Sequence, residues 1–368
     1  MKNKKKLIFH INSMGKGGAE RVVSILSKYF LNDGYEVLIV TLWRADEEYE
    51  IADGIKRINL SDDKRLERLG RISLALRRLW RIRQIIKTEN PDIVISFCKK
   101  ANFRCAYSMM GLKTPLLVSV RNDPKVDYLP FRRGTQRMER KACGCVFQTR
   151  EALLCFNEKF QQKSKVIWNP LDDKYLSPVM EWESGANFIV TVGRLSRQKN
   201  QLMLLKAFRS IMDEFPTVEL RIYGEESNAG IKDTLLAYID QQNMQTRVRL
   251  MGQSSQLETE IRNAALFVLS SDYEGMPNAL IEAMAMGIPS ISTDCPCGGP
   301  AELIENEVSG LLVPVGAEKE MAAAMRKILK NPDFAVRISE NGKKIKEKVS
   351  PDRIYQEWKA YINEVIRA

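Results

Sequence analysis

The chain is almost without histidine: His10 is the only one in 368 residues. It has no uncharged apolar run of about 18 residues, so no segment reads as a membrane-spanning helix. Its seven cysteines, at 98, 105, 143, 145, 155, 295 and 297, are odd in number. Their spacings match no zinc framework, and one histidine adds little. No metal site is therefore expected. The basic start Met1-Lys-Asn-Lys-Lys-Lys leads into Leu7-Ile-Phe-His-Ile. That apolar stretch is too short for a signal-peptide core and reads as a first strand. The expectation is a cytoplasmic chain with reduced thiols.

Positive charge is in excess. Lysine and arginine total 57 against 46 acidic residues, a net charge of +11. Such a balance attracts nucleic acid, anionic lipid or nucleotide sugars. A nucleic-acid binder would need aromatics interleaved on a basic sheet, or a known module. Neither is present, so no nucleic-acid partner is expected.

The length suits two domains. Strand candidates fall at 7–12, 36–42, 93–97, 116–120, 145–148 and 166–168. A second set falls at 188–192, 219–223, 248–251, 266–269, 289–292 and 311–313. Near-continuous apolar strands separated by helical patterns predict parallel sheets covered on both faces, hence two doubly wound α/β domains. The boundary is expected within 170–186, where no period is visible. This divides the chain into 1–170, 171–350 and a tail, 351–368. In the tail Tyr355, Trp358, Tyr361, Ile362 and Val365 form a helical stripe. Ligands of such sheets bind at the C-terminal ends of the strands.

The most informative stretch is Glu274-Gly-Met-Pro-Asn-Ala-Leu-Ile-Glu282. Pro277 suits the first position of a helix, and Gly287 suits the place just past its end. A helix over 277–286 would put Glu274 in the preceding loop and Glu282 on the second turn. Unpaired N–H groups at the helix start would lie between the two carboxylates, where an anion fits. Acidic residues near a helix start are also common for purely structural reasons. Asn12–Arg21 is a glycine-rich turn between a strand and a helix, able to cradle phosphate or simply to turn tightly. It is not G-x-G-x-x-G, so a nicotinamide or flavin dinucleotide is disfavoured and no cofactor is expected. Arg194 and Lys199, just after a strand end, can neutralise a diphosphate.

The stretch 266–289, with Gly17-Gly18-Ala19-Glu20-Arg21, Gly193-Arg194-Leu195, Lys199-Asn200 and Gly298-Gly299-Pro300-Ala301-Glu302, resembles the family-4 glycosyltransferases. The resemblance runs from about residue 6 to 345. It implies the GT-B fold, two Rossmann-like domains facing each other across a cleft, with the last helix crossing back to the first domain. It implies an acceptor-binding first domain and a donor-binding second. It further implies metal-independent transfer from a nucleotide sugar with retention of configuration. Glu274 would grip the transferred hexose and Glu282 the ribose. Backbone groups of Gly275, Met276, Pro277, Asn278 and Ala279, and Gly17 and Gly18 opposite, would contact sugar and phosphate. Arg194 and Lys199 would stabilise the departing diphosphate. Many members carry a histidine after the fourth strand of the first domain. Here the segment reads Ser119-Val120-Arg121-Asn122-Asp123. Arg121 is the expected replacement, with Asp123 orienting it or touching the acceptor. His10, inside the first strand, reads as structural.

Asn102 and Arg104 are weaker candidates for the acceptor. The segment 64–87 places Leu66, Leu69, Ile72, Leu76, Leu79, Ile82 and Ile86 at helical spacing among many arginines. The expectation is a crossover helix with its stripe on the core and its arginines toward an anionic membrane surface. The leading reading is a transferase that extends a polyprenyl-diphosphate-linked or other surface glycan at the inner membrane face, with UDP as the default nucleotide. A sugar-nucleotide epimerase on the same fold and a non-catalytic polyanion binder are the alternatives.

Overall fold

The computed structural model describes residues 4–62, 70–176 and 187–367. The chain divides into two compact units, Met1–Pro170 with Pro351–Ala368, and Leu171–Ser350. Each is built on one parallel sheet.

In the first unit the strands are β1 (Lys6–His10), β2 (Glu36–Thr41), β3 (Lys56–Asn59), β4 (Ile93–Phe97), β5 (Leu116–Ser119), β6 (Gly144–Phe147) and β7 (Lys165–Val166). Their order among the described residues is β3-β2-β1-β4-β5-β6-β7. Chain order reverses between β1 and β4, the position where open α/β sheets gape and take ligands. Every residue of β4 is buried, and it reads as an apolar run broken only by Ser96. The edge strand β3, Lys-Arg-Ile-Asn, has no such run and is not legible by pattern.

Five helices matter here: α1 (Gly18–Asn32), α2 (Arg71–Glu89), α3 (Lys99–Ser108), α4 (Pro124–Asp127) and α5 (Arg132–Lys141). The first buries Val22, Val23, Leu26 and Phe30 at helical spacing on the sheet. The C-terminal helix Pro351–Arg367 also belongs to this unit, burying Ile354, Tyr355, Trp358, Tyr361, Ile362 and Val365. The Trp358 ring stacks on Phe97 at 5.6 Å, and the Tyr355 hydroxyl donates to Asp33 at 2.6 Å.

The second unit has β8 (Phe188–Val192), β9 (Glu219–Tyr223), β10 (Val248–Gly252), β11 (Leu266–Leu269), β12 (Ser290–Asp294) and β13 (Leu311–Pro314). The order is β10-β9-β8-β11-β12-β13, so the reversal falls between β8 and β11. Leu204, Phe208, Leu220, Ile222 and Val268 are among its buried core residues.

Candidate active site

The loops after β8 and β11 leave the sheet at its reversal and are laced together. Ser196 caps the turn Arg197–Lys199 by accepting from the Lys199 N–H. Asn200 takes the left-handed conformation at φ 44° and caps the next helix through its side chain. Its Nδ2 donates to Asp272 at 2.7 Å. Ser270 Oγ donates to the Lys199 carbonyl at 2.9 Å, and the Asp272 N–H to the Gln198 carbonyl at 2.8 Å. Gln198 Nε2 returns a bond to the Tyr273 carbonyl at 2.9 Å.

That lacing brings Lys199 Nζ to 2.5 Å from Glu274 Oε1. Ser271 Oγ donates to the same oxygen at 2.6 Å. Glu274 is buried, with 6% of its surface exposed. An ion pair this enclosed holds because charge and hydrogen bonds are matched. Removing one partner of such a pair costs about 3–5 kcal/mol. Arg194 is exposed, while its carbonyl is held by Gln201 Nε2 at 2.9 Å.

The following helix is Asn278–Ala285, with Pro277 as its N-cap and Gly287 past its end at φ 73°. It starts one residue later than the pattern predicts, within the ordinary uncertainty of helix ends. Gly275, Met276 and Pro277 are buried, and Asn278 and Ala279 partly so. Glu282, 3% exposed, lies on the second turn. The first-turn N–H groups face back along the helix axis toward Glu274–Pro277. A neighbouring loop props this segment: the Glu274 N–H donates to the Pro296 carbonyl at 2.8 Å. Gly299 packs so closely that a Cβ there would lie 1.7 Å from the Gly275 carbonyl oxygen. Cys295 beside it is pushed up to about 12 by burial, so it stays a thiol.

In the first unit, Asn12–Gly17 follows β1. Gly17 is the N-cap of α1 and Gly18 its first residue. Gly15 bridges to Glu48, and Arg21 Nε donates to the Tyr49 hydroxyl at 3.1 Å. The turn is thus braced by the loop after β2.

The structure places the four other expected residues of this unit in internal contacts. Asn102 is fully buried, its Nδ2 donating to the Ser119 carbonyl and the Tyr128 hydroxyl, both at 2.9 Å. It acts as a core strut between β5 and Tyr128. Arg104 reaches Asn12 Oδ1 instead of an open surface, and burial lowers its pKa to about 10. Asp123 caps α4 by accepting from the Lys125 N–H at 2.8 Å. Arg121 turns inward: its guanidinium lies over the Phe97 and Trp358 rings at 4.9 and 5.6 Å. Nη1 donates to Asn169 at 2.7 Å, while Nε and Nη2 are buried without hydrogen bonds. Burial lowers its pKa to about 10. In this arrangement Arg121 clamps the C-terminal helix to the sheet.

His10 is buried and its Nδ1 donates to the Val40 carbonyl at 2.9 Å. Burial, with Arg104 adding to it, lowers its pKa to about 3, so it is neutral. Ser271, Gln198 and the Asn200–Asp272 link are absent from the sequence-based candidates. The signal for Ser271 is its place three residues before Glu274, from which a hydroxyl can reach back into the same turn.

Two family models match: "Glycosyltransferase Family 4" over residues 16–173 and "Glycosyl transferases group 1" over 175–345. The chain belongs to glycosyltransferase family 4. It is a glycosyltransferase with the GT-B fold. This family-4 chain is 24% identical to a Campylobacter jejuni enzyme, covering 99% of both. That relative is GalNAc-alpha-(1->4)-GalNAc-alpha-(1->3)-diNAcBac-PP-undecaprenol alpha-1,4-N-acetyl-D-galactosaminyltransferase. The amylovoran biosynthesis glycosyltransferase AmsD of Erwinia amylovora is 22% identical, over 97% of this chain and 99% of that one. The solved structure of Anabaena HepE in complex with UDP and glucose superposes with a TM-score of 0.81 at 19% identity, over 98% of this chain and 99% of that one. Among the described residues, no helix is long and apolar enough to cross a membrane.

Proposed function

We propose that this family-4 enzyme transfers a hexose or N-acetylhexosamine from a UDP-sugar to a polyprenyl-diphosphate-linked or other surface glycan, with retention and without a metal ion. The observation that carries the reading is buried Glu274, held by Lys199 and Ser271 beside the start of Asn278–Ala285. A sugar's hydroxyls would bond Glu274, and its diphosphate would draw on Lys199, Arg194 and the helix N–H groups. Glu282 would take the ribose hydroxyls. The acceptor hydroxyl attacks the anomeric carbon on the face the diphosphate leaves. The C1–O bond to phosphate breaks, the C1–O bond to the acceptor forms, and the acceptor's proton passes to the departing phosphate oxygen. Lys199, Arg194 and the helix dipole supply the positive field that a metal would otherwise provide. UDP as the nucleotide is supported by the family resemblance and by the UDP in the Anabaena structure of the same fold. The lipid-linked acceptor is supported by the Campylobacter relative, and anionic lipid as a surface partner by the net charge of +11.

The test is a panel of sugar nucleotides with a polyprenyl-diphosphate-linked glycan acceptor. The expected product keeps the donor's anomeric configuration by NMR, and EDTA leaves the rate unchanged. Inversion, or a strict need for divalent metal, overturns the scheme. Epimerisation of the donor without transfer would point to the alternative chemistry.

A further inference from the structure

Helix α2 has two apolar faces, and only one is used by the core. Ile82, Ile85 and Ile86 are buried. Ile72, Leu76 and Trp80 are 78%, 62% and 47% exposed. This corrects the expectation that a single stripe faces the sheet; Leu66 and Leu69 lie outside the described residues. At 100° per residue, positions 72, 76, 80, 83 and 87 share an arc of roughly 80°. That arc therefore holds Ile72, Leu76 and Trp80 together with Arg83 and Lys87. Arg77 lies over the Trp80 ring at 4.8 Å, and Arg81 is exposed.

The exposed face continues onto the next helix. Arg83 Nη1 donates to the Ser108 and Met110 carbonyls at 2.9 and 2.6 Å, fixing α2 to the end of α3. Tyr107 and Met110 there are exposed. Arg137 of α5 lies against them, over the Tyr107 ring at 5.4 Å and at 3.1 Å from Met110 Sδ. Aliphatic and aromatic groups are thus set among arginines along one side of the first unit. α2 carries five arginines and one lysine against Glu89 alone.

We infer that this α2–α3 face is the surface by which the enzyme lies on an anionic bilayer, with Ile72, Leu76 and Trp80 inserted at the headgroup level. The inference deepens the membrane reading above and rests on it. Large apolar groups flanked by cations suit an interface where acyl chains and phosphates meet. A second copy of the same face is disfavoured, because it would bring like charges together. A protein groove would bury the stripe but would need its own acidic rim.

The test uses the full chain and two vesicle types: equal parts phosphatidylglycerol and phosphatidylcholine, and phosphatidylcholine alone. The chain is expected to sediment with the anionic vesicles only, with a blue shift of tryptophan emission that the Trp80→Ser variant lacks. The triple variant Ile72→Ser, Leu76→Ser, Trp80→Ser is expected to stay in the supernatant. Arg77→Gln, Arg81→Gln, Lys87→Gln together should weaken vesicle binding about 100-fold, at about 1 kcal/mol per charge. Circular dichroism and donor hydrolysis should match the parent in both variants, since none of these residues lies in the donor site. Parent that fails to sediment, or a serine triple variant that sediments like it, overturns the inference. So does a parent dimer by light scattering that the serine variant abolishes, which would assign the face to self-association. Vesicle binding by a chain that transfers no sugar would leave the surface standing and remove the proposed function instead.

Discussion

Lys199 and Ser271 converge on one oxygen of Glu274, and this makes Ser271 a positioning residue with a measurable signature. A buried hydrogen bond to a charged group contributes about 1.5–3 kcal/mol. Ser271→Ala should therefore weaken binding of the UDP-sugar roughly 10- to 100-fold by isothermal titration. Binding of UDP alone should be unchanged, and Ser271→Thr should restore the parent value. A parallel loss of UDP affinity would instead mark a general loop defect. His10 gives a second handle. Its pKa is about 3 in the folded chain, against about 6.5 when unfolded. The unfolded chain takes up the proton first, so stability is intact above pH 6.5 and is lost as pH falls toward 3. Relative to His10→Asn, the parent should lose about 2 kcal/mol between pH 7 and 5 in urea titrations. Equal losses in both proteins would refute the assignment of a buried neutral imidazole.

The segment Glu274–Pro277 is held by what packs behind it. Gly299 allows its backbone to touch the Gly275 carbonyl, and a Cβ at Gly224, where φ is 137°, would lie 2.1 Å from the Gly193 carbonyl oxygen. A methyl at 299 has nowhere to go without moving Gly275. Gly299→Ala should therefore abolish donor binding while the far-ultraviolet spectrum stays native. Donor binding at parental strength would mean the segment can shift freely. The elements themselves were largely legible. Buried parallel strands such as β4, β8 and β11 are nearly all apolar, Ser96 and Thr191 aside, and the run is visible without knowing its neighbours. The edge strand β3 was not, because its partner covers one side only.

The two units have separate cores, and the C-terminal helix closes the first. Trp358, with no exposed surface, meets both Phe97 and Arg121. Trp358→Ala should cost about 3–5 kcal/mol in urea denaturation, confined to the transition of the first unit. A fragment of residues 171–350 should fold cooperatively alone, while a fragment of 1–170 should not, since Phe97 and Phe30 would lose their cover. A stable 1–170 fragment would show that the helix is dispensable to that core.

Apolar periodicity, glycine placement and charge are local properties. They were enough to mark the two sheets, the Glu274–Glu282 helix start and the basic amphipathic helix. They could not say which way a long polar side chain turns. Arg121 is the expected replacement for the family's histidine, yet its guanidinium lies on two aromatic rings supplied by β4 and the C-terminal helix, segments far apart in the chain. Asn102 is a weak acceptor candidate by sequence, yet its amide is enclosed by β5 and Tyr128. A helical stripe announces that a face is apolar and is silent about what covers it. The uncovered half of α2 emerged once the packing against β-sheet and α3 was known, because burial depends on neighbours that no window of adjacent residues contains.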